Sequence, residues 1–116
     1  MKIGSPREVF QAEARVALTP ESAVQLQKLG HACLVETGAG EGAGISDEAY
    51  RAAGVTVVDG AAALFAISDV IIKVRPPTTA EVDLLSPGKA LISFFYPGQN
   101  AELLEQARSK GANVIA

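Results

Sequence analysis

Short apolar runs alternate with amphipathic or polar stretches along the whole chain, and each junction carries its own punctuation. Lys2-Ile3-Gly4 opens a first strand, followed by a polar loop through Arg15. Thr19 then has the chemistry of an N-cap, with Pro20 at the first helical position and Glu21 in the first turn, where a carboxylate suits the helix dipole. Ala23, Leu26 and Leu29 supply that helix with an apolar face, and Gly30 ends it. Ala32–Glu36 is a second strand and Gly38–Gly44 a glycine-rich loop; Ser46 caps a short helix through Ala53, which Gly54 stops.

The alternation continues with a β-branched strand at Val55–Val58 and a brief helix at Ala61–Ala66. Val70-Ile71-Ile72-Lys73-Val74 is apolar without alternation, the pattern of a strand buried on both faces of a parallel sheet. Further elements follow as a helix over Ala80–Leu85, a strand over Leu91–Phe95, a helix over Glu102–Lys110 and a last strand at Asn113–Ile115. Strands separated by helices imply βαβ crossovers. The expected fold is α/β: an open, mostly parallel, flavodoxin- or Rossmann-like sheet with helices on both faces, filling residues 1–116 as one lobe. Because the last strand has no following helix to cover it, the lobe is expected to belong to a longer polypeptide.

Composition narrows the possible roles. The 116 residues are 48% hydrophobic and 20% charged, a globular balance, and 10 Lys+Arg against 13 Asp+Glu give a net charge of −3. No basic stripe is available to neutralise phosphates, so nucleic acid is not an expected partner. One cysteine, Cys33, and one histidine, His31, build neither an internal disulfide nor an ordinary zinc site. The longest uncharged run, Ala90–Ala101, contains Pro97 and Gly98 and is too short to span a bilayer. A soluble, cytoplasmic chain is expected.

Gly38-Ala39-Gly40-Glu41-Gly42-Ala43 fits the dinucleotide fingerprint G-x-G-x-x-G/A, and Asp59 follows at about the 20-residue offset where a ribose-binding acid stands. Pyrophosphate binding also requires the helix to begin within the glycines, so that its first N–H groups meet the phosphates. Here the N-cap is Ser46, beyond further glycine, so a turn leading to a capped helix is the favoured reading. Arg15 and Lys73 are the other candidates. A lysine in an apolar strand needs a partner or a cleft, and the crevice beyond the carboxyl ends of the strands is the usual ligand site of such sheets. The two cations could hold a carboxylate together, the guanidinium bidentately and the ammonium as a point charge. Equally, each could pair with an acid such as Glu8 or Glu13. His31 reads as solvated or as a partner of a helix end, and Cys33 as a small core residue.

The stretches Lys2-Ile3-Gly4-Ser5-Pro6-Arg7-Glu8 and Glu13-Ala14-Arg15-Val16-Ala17-Leu18-Thr19-Pro20 resemble the opening of the alanine dehydrogenase/pyridine nucleotide transhydrogenase amino-terminal domain. Val35–Gly40, Ala52-Ala53-Gly54 and Ile71–Val74 follow that pattern in order, so the resemblance covers essentially the whole chain. It implies one lobe of a two-lobe dehydrogenase-type protein, with the nicotinamide fingerprint in a following domain. In the alanine dehydrogenase branch an arginine and a lysine matching Arg15 and Lys73 bind pyruvate or alanine, and a catalytic histidine follows the fifth strand. At that point this chain has Tyr96, whose ordinary pKa near 10 suits proton transfer at neutral pH poorly. The run Phe94-x-x-Pro97-x-Gln99-Asn100 is instead similar to the branch formed by alpha subunits of proton-translocating NAD(P) transhydrogenases.

That branch implies a parent enzyme exchanging hydride between NAD(H) and NADP(H), coupled to proton translocation. The resemblance thus implies NAD(H) in the parent protein, none bound to this lobe alone, and a lobe inactive by itself. Its implied partners are the NAD-binding domain of the same polypeptide, the NADP-binding and membrane components, and a second copy in a homodimer. Its implied location is the cytoplasmic side of the inner (plasma) membrane. Substrate-pocket candidates are Arg15, Lys73, Tyr96 and Gln99, with no catalytic, cofactor or metal residue assigned. The alternatives are the substrate lobe of an alanine dehydrogenase-like oxidoreductase and a non-catalytic carboxylate-binding domain.

Overall fold

The computed structural model describes residues 1–8, 13, 15–75, 77–93, 105–106 and 108–115. Its elements run β1 (Lys2–Ser5), α1 (Pro20–Lys28), β2 (Ala32–Glu36), a 3-10 turn (Glu41–Ala43), α2 (Asp47–Ala52), β3 (Thr56–Val58), α3 (Ala61–Ile67), β4 (Val70–Ile72), α4 (Thr79–Asp83), β5 (Ala90–Ile92) and β6 (Asn113–Ile115). The six strands form one parallel sheet in the order β3-β2-β1-β4-β5-β6. This is the doubly wound order in which the chain reverses direction beside the first strand, here between β1 and β4.

The punctuation explains the helix bounds. Thr19 caps α1 by accepting the Ser22 N–H, and Ser22 returns the bond to the Thr19 N–H. Gly30 leaves α1 at φ +94°, a conformation that glycine adopts without a Cβ penalty. Ser46 caps α2, as its position after the glycines suggests. Several bounds shift by a residue or two from expectation, and two of the shifts have a clear cause. α4 begins earlier, because Thr78 is its N-cap and Glu81 completes a capping box. β4 ends at Ile72, so Lys73 and Val74 stand just outside the strand, although the Lys73 N–H still continues the ladder by donating to the Ile92 carbonyl at 2.9 Å. The Phe94 and Phe95 end of the fifth strand and the first three residues of the helix over Glu102–Lys110, with residue 107, lie outside the described residues; Glu105, Gln106, Arg108 and Ser109 are helical.

Strand alternation sends side chains into two cores. On one face Cys33 and Val35 pack with Leu18, Ala23, Tyr50 and Val55 beneath α1 and α2. On the other, Ile71 and Leu91 pack with Phe65, Val82, Leu85 and Ala112 beneath α3 and α4, while Leu34, Val58 and Leu64 form a smaller cluster. Gly4 permits this second layer to approach: a Cβ there would lie 2.0 Å from Ser68 Oγ. The first face is covered unevenly. α1 packs on β2 and α2 on β3, whereas over β4 and β5 Val70, Ile72 and Ala90 are only half-buried and Ile92 retains 40% exposure.

Candidate functional site

The reversal between β1 and β4 opens a gap at the carboxyl end of the sheet, and the residues leaving these two strands bring a charged cluster to it. Glu8, three residues beyond β1, accepts from Lys73 Nζ at 3.0 Å and from the backbone N–H groups of Val74 at 2.8 Å and Arg75 at 3.2 Å. Lys73 also meets Glu81 Oε2 at 3.1 Å, while the other oxygen of Glu81 caps α4 through the Thr78 N–H. The side chains of Lys73, Glu8 and Glu81 are 1%, 2% and 7% exposed, so these charges are answered by one another and by backbone donors rather than by water.

Arg75 carries the cluster outward. Its Nε donates to Glu13 Oε1 at 2.7 Å, and Glu13 in turn accepts bidentately from Arg15, Nη2 to Oε1 and Nε to Oε2, both at 2.9 Å. The Arg15 guanidinium first, then Arg75 and the Arg15 N–H, hold the Glu13 carboxyl well below the usual carboxylate range. Among the described residues, three cations and three carboxylates therefore form one continuous network across the two loops. The hydroxyls of Ser5 and Ser93, buried at the exits of β1 and β5 on either side of β4, find no hydrogen-bond partner among the described residues.

Arg15 and Lys73 thus share one end of the sheet, as expected, but meet through Glu13, Arg75 and Glu8 rather than through a common free space. Lys73 pairs with Glu8 and Arg15 with Glu13, the two acids the sequence offers as partners. Tyr96 and Gln99 lie outside the described residues. Sequence reasoning missed Glu81 and Arg75. Thr78-x-x-Glu81 was a capping-box signal that would have placed Glu81 at the start of α4; nothing local marked Arg75. His31 sits with Nδ1 3.4 Å from the amino terminus, and Cys33 is a buried free thiol pushed up by burial.

The glycine loop is not shaped for a dinucleotide. Its helix starts only at Asp47 and is six residues long. The Gly38 N–H, an amide a phosphate would need, donates to Asp47 Oδ1 at 3.0 Å. A Cβ on Gly40 would meet the Ile45 carbonyl and Tyr50 at 2.8 Å, so that glycine serves the packing of Tyr50. These residues do not fit a pyrophosphate. Among the described residues no group of His, Cys, Asp or Glu is placed to hold a metal ion, and no helix is long and apolar enough to cross a membrane.

The strand order defines a Rossmann-like α/β lobe with a charged cluster at its reversal. Residues 4–116 match the model of the alanine dehydrogenase/PNT N-terminal domain, and the chain belongs to that family. Over all 116 residues it is 64% identical to NAD(P) transhydrogenase subunit alpha of Cereibacter sphaeroides, of which it covers 22%. It is 39% identical over its full length to the alanine dehydrogenase of Halomonas elongata, covering 31% of that protein. The transhydrogenase structure from Sinorhizobium meliloti superposes on the whole chain with a TM-score of 0.94 at 34% identity, and the chain covers 34% of it. The chain therefore spans between a fifth and a third of the length of these relatives.

Proposed function

We propose that the chain is the amino-terminal lobe of an NAD(P) transhydrogenase alpha subunit, in an enzyme that passes hydride between NAD(H) and NADP(H) and couples the exchange to proton translocation. The observation that carries this reading is the 64% identity to a transhydrogenase alpha subunit over the entire chain, against 39% to an alanine dehydrogenase. Tyr96, standing where the resemblance places the histidine of alanine dehydrogenases, supports it.

In this reading NAD(H) is held by a second domain of the polypeptide, because the glycine loop of the lobe is closed upon Asp47. The lobe contributes the other wall of the interdomain crevice, with the network from Lys73 to Arg15 fixing the two loops that line it. The NADP-binding and membrane components are its further partners, and two copies pair in the assembled enzyme at the inner membrane. The experiment is to express the full reading frame with its companion components and measure hydride transfer from NADH to an oxidised NADP analogue, beside alanine-dependent reduction of NAD. Transfer between the two nucleotides is expected. Alanine-dependent NADH formation would overturn the assignment in favour of an amino-acid dehydrogenase. The 116-residue lobe alone is expected to leave NADH fluorescence unchanged.

A further inference from the structure

The two ends of the sheet differ sharply in charge. Among the described residues, the loops and helix starts at the carboxyl end carry nine carboxylates against four cations, Arg7, Arg15, Lys73 and Arg75, a surplus of five negative charges. The amino end carries six cations against Asp69, Asp83 and Glu105, a surplus of three positive charges, with Lys110 3.7 Å from Asp83 and Arg51 paired to Glu48 within α2. Those cations are spread along the sheet. Arg51 stands beside the start of β3, Lys28 beside β2, Lys2 on β1, Lys89 before β5, and Arg108 and Lys110 before β6. With about 4.8 Å between neighbouring strands, the row is about 24 Å long.

Helix dipoles account for part of this. Lys28 and Arg51 lie in last turns, and Lys89 Nζ donates to the carbonyls of Ala66 and Ser68 at the end of α3. They do not account for the apolar side chains set among the cations. Leu29, the C-cap of α1, is 74% exposed, and Ile67, the last residue of α3, is 42% exposed. Backbone bonds bring their elements together around the start of β1: the Ala32 N–H donates to the Met1 carbonyl and the Asp69 N–H to the Lys2 carbonyl. Exposed apolar residues inside a basic row, on a chain whose net charge is −3, form a surface suited to anionic headgroups with shallow apolar insertion.

We propose that the amino edge of the sheet docks on an anionic bilayer, holding the lobe with its carboxyl end away from the lipid. The acidic carboxyl end is repelled by the same surface, so binding is oriented. This goes beyond the transhydrogenase reading and does not depend on hydride transfer. The test is co-sedimentation of the 116-residue chain with vesicles of phosphatidylcholine alone and with one third phosphatidylglycerol, each variant being checked for folding by circular dichroism.

Sedimentation with the anionic vesicles only is expected, reversed by high salt. Lys2→Glu with Lys28→Glu, both at exposed positions, should weaken binding at least about tenfold, and Leu29→Ser several-fold. If the lysine pair fails to fold, Arg108→Glu serves in its place. Glu41→Lys at the opposite end should change binding less than about twofold. The proposal is overturned if anionic vesicles do not sediment the chain, or if Glu41→Lys strengthens binding as much as the lysine reversals weaken it, since net charge alone would then act. A salt-sensitive self-association that uses up the edge would likewise assign it to a second copy.

Discussion

Tyr50 shows how much one buried side chain can hold. It is fully buried, and its hydroxyl donates to the Leu18 carbonyl at 2.6 Å, tying α2 to the residue just before the α1 cap. Burial first, then the carboxylates of Asp47 and Glu21, push its phenol up to about 12. Because the unfolded phenol ionises near pH 10, the unfolded state loses its proton first; the contribution is intact below pH 10 and is lost as pH rises toward 12. Urea denaturation between these values should show stability falling by up to about 1.4 kcal/mol per pH unit, and Tyr50→Phe should remove that slope. At neutral pH the same variant should cost about 1–2 kcal/mol, because it leaves the Leu18 carbonyl unpaired. Gly4→Ala should cost more, about 2–3 kcal/mol, since its Cβ would fall 2.0 Å from Ser68 Oγ. At Gly44, whose φ is +77° and whose surroundings are open, alanine should cost only about 1 kcal/mol in thermal melts. Neither Tyr50 nor Gly4 was legible in the sequence. Their importance comes from contacts with residues 32 and 64 positions away, which no local pattern records.

At the scale of elements the sequence was a better guide. The caps Thr19 and Ser46 and the stops Gly30 and Gly54 act within a turn of themselves, so their chemistry reads directly as structure. The apolar texture of β4 runs on through Lys73 and Val74, but the strand stops at Ile72 because the N–H groups of Val74 and Arg75 donate to Glu8 instead of a neighbouring strand. The same acid explains why a lysine is tolerated there. Removing it should show the strength of the arrangement: Lys73→Met leaves two buried carboxylates facing each other and should lower stability by about 3–5 kcal/mol in urea denaturation. Glu48→Gln, which breaks the exposed Glu48–Arg51 pair on α2, should change it by less than about 0.5 kcal/mol. Glu13 adds an acid limb of known sign. Its folded carboxyl is depressed, so its stabilisation is present above the ordinary glutamate range and disappears as pH falls below it. Glu13→Gln should therefore flatten the acid side of the stability profile. Which acid would meet which base could not be read from spacing, because the partners lie as much as 65 residues apart.

For the whole molecule, the uneven cover of the sheet matters most. Parallel sheets bury both faces, yet Ile92 remains 40% exposed beside half-buried Ile72 and Val70. Apolar area gains about 25 cal/mol per Å² on burial, so this face favours a partner, whether the remainder of a longer polypeptide or a second copy. Light scattering at micromolar concentration should give a mass above the 12.0 kDa of the monomer, insensitive to salt, and Ile92→Lys should restore the monomer. A wild-type chain that stays monomeric would remove this expectation.

The strand order has a consequence for how the lobe comes into being. The cluster under α1 and α2 draws its buried members from Leu18 to Val55, and the main cluster on the other face from Phe65 to Ala112. Most of each interior thus comes from one half, and what joins them includes β1 against β4, α3 packed on the first three strands through Leu64, and the bonds that Glu8 and Glu13 accept from Lys73 and Arg75. A growing chain can consequently settle its first three strands while the rest is still being synthesised, leaving one flank of β1 open until β4 arrives. By the same logic, cutting the backbone at the exposed Asp59 should yield two pieces that find each other again when mixed, a split protein whose seam is the central strand.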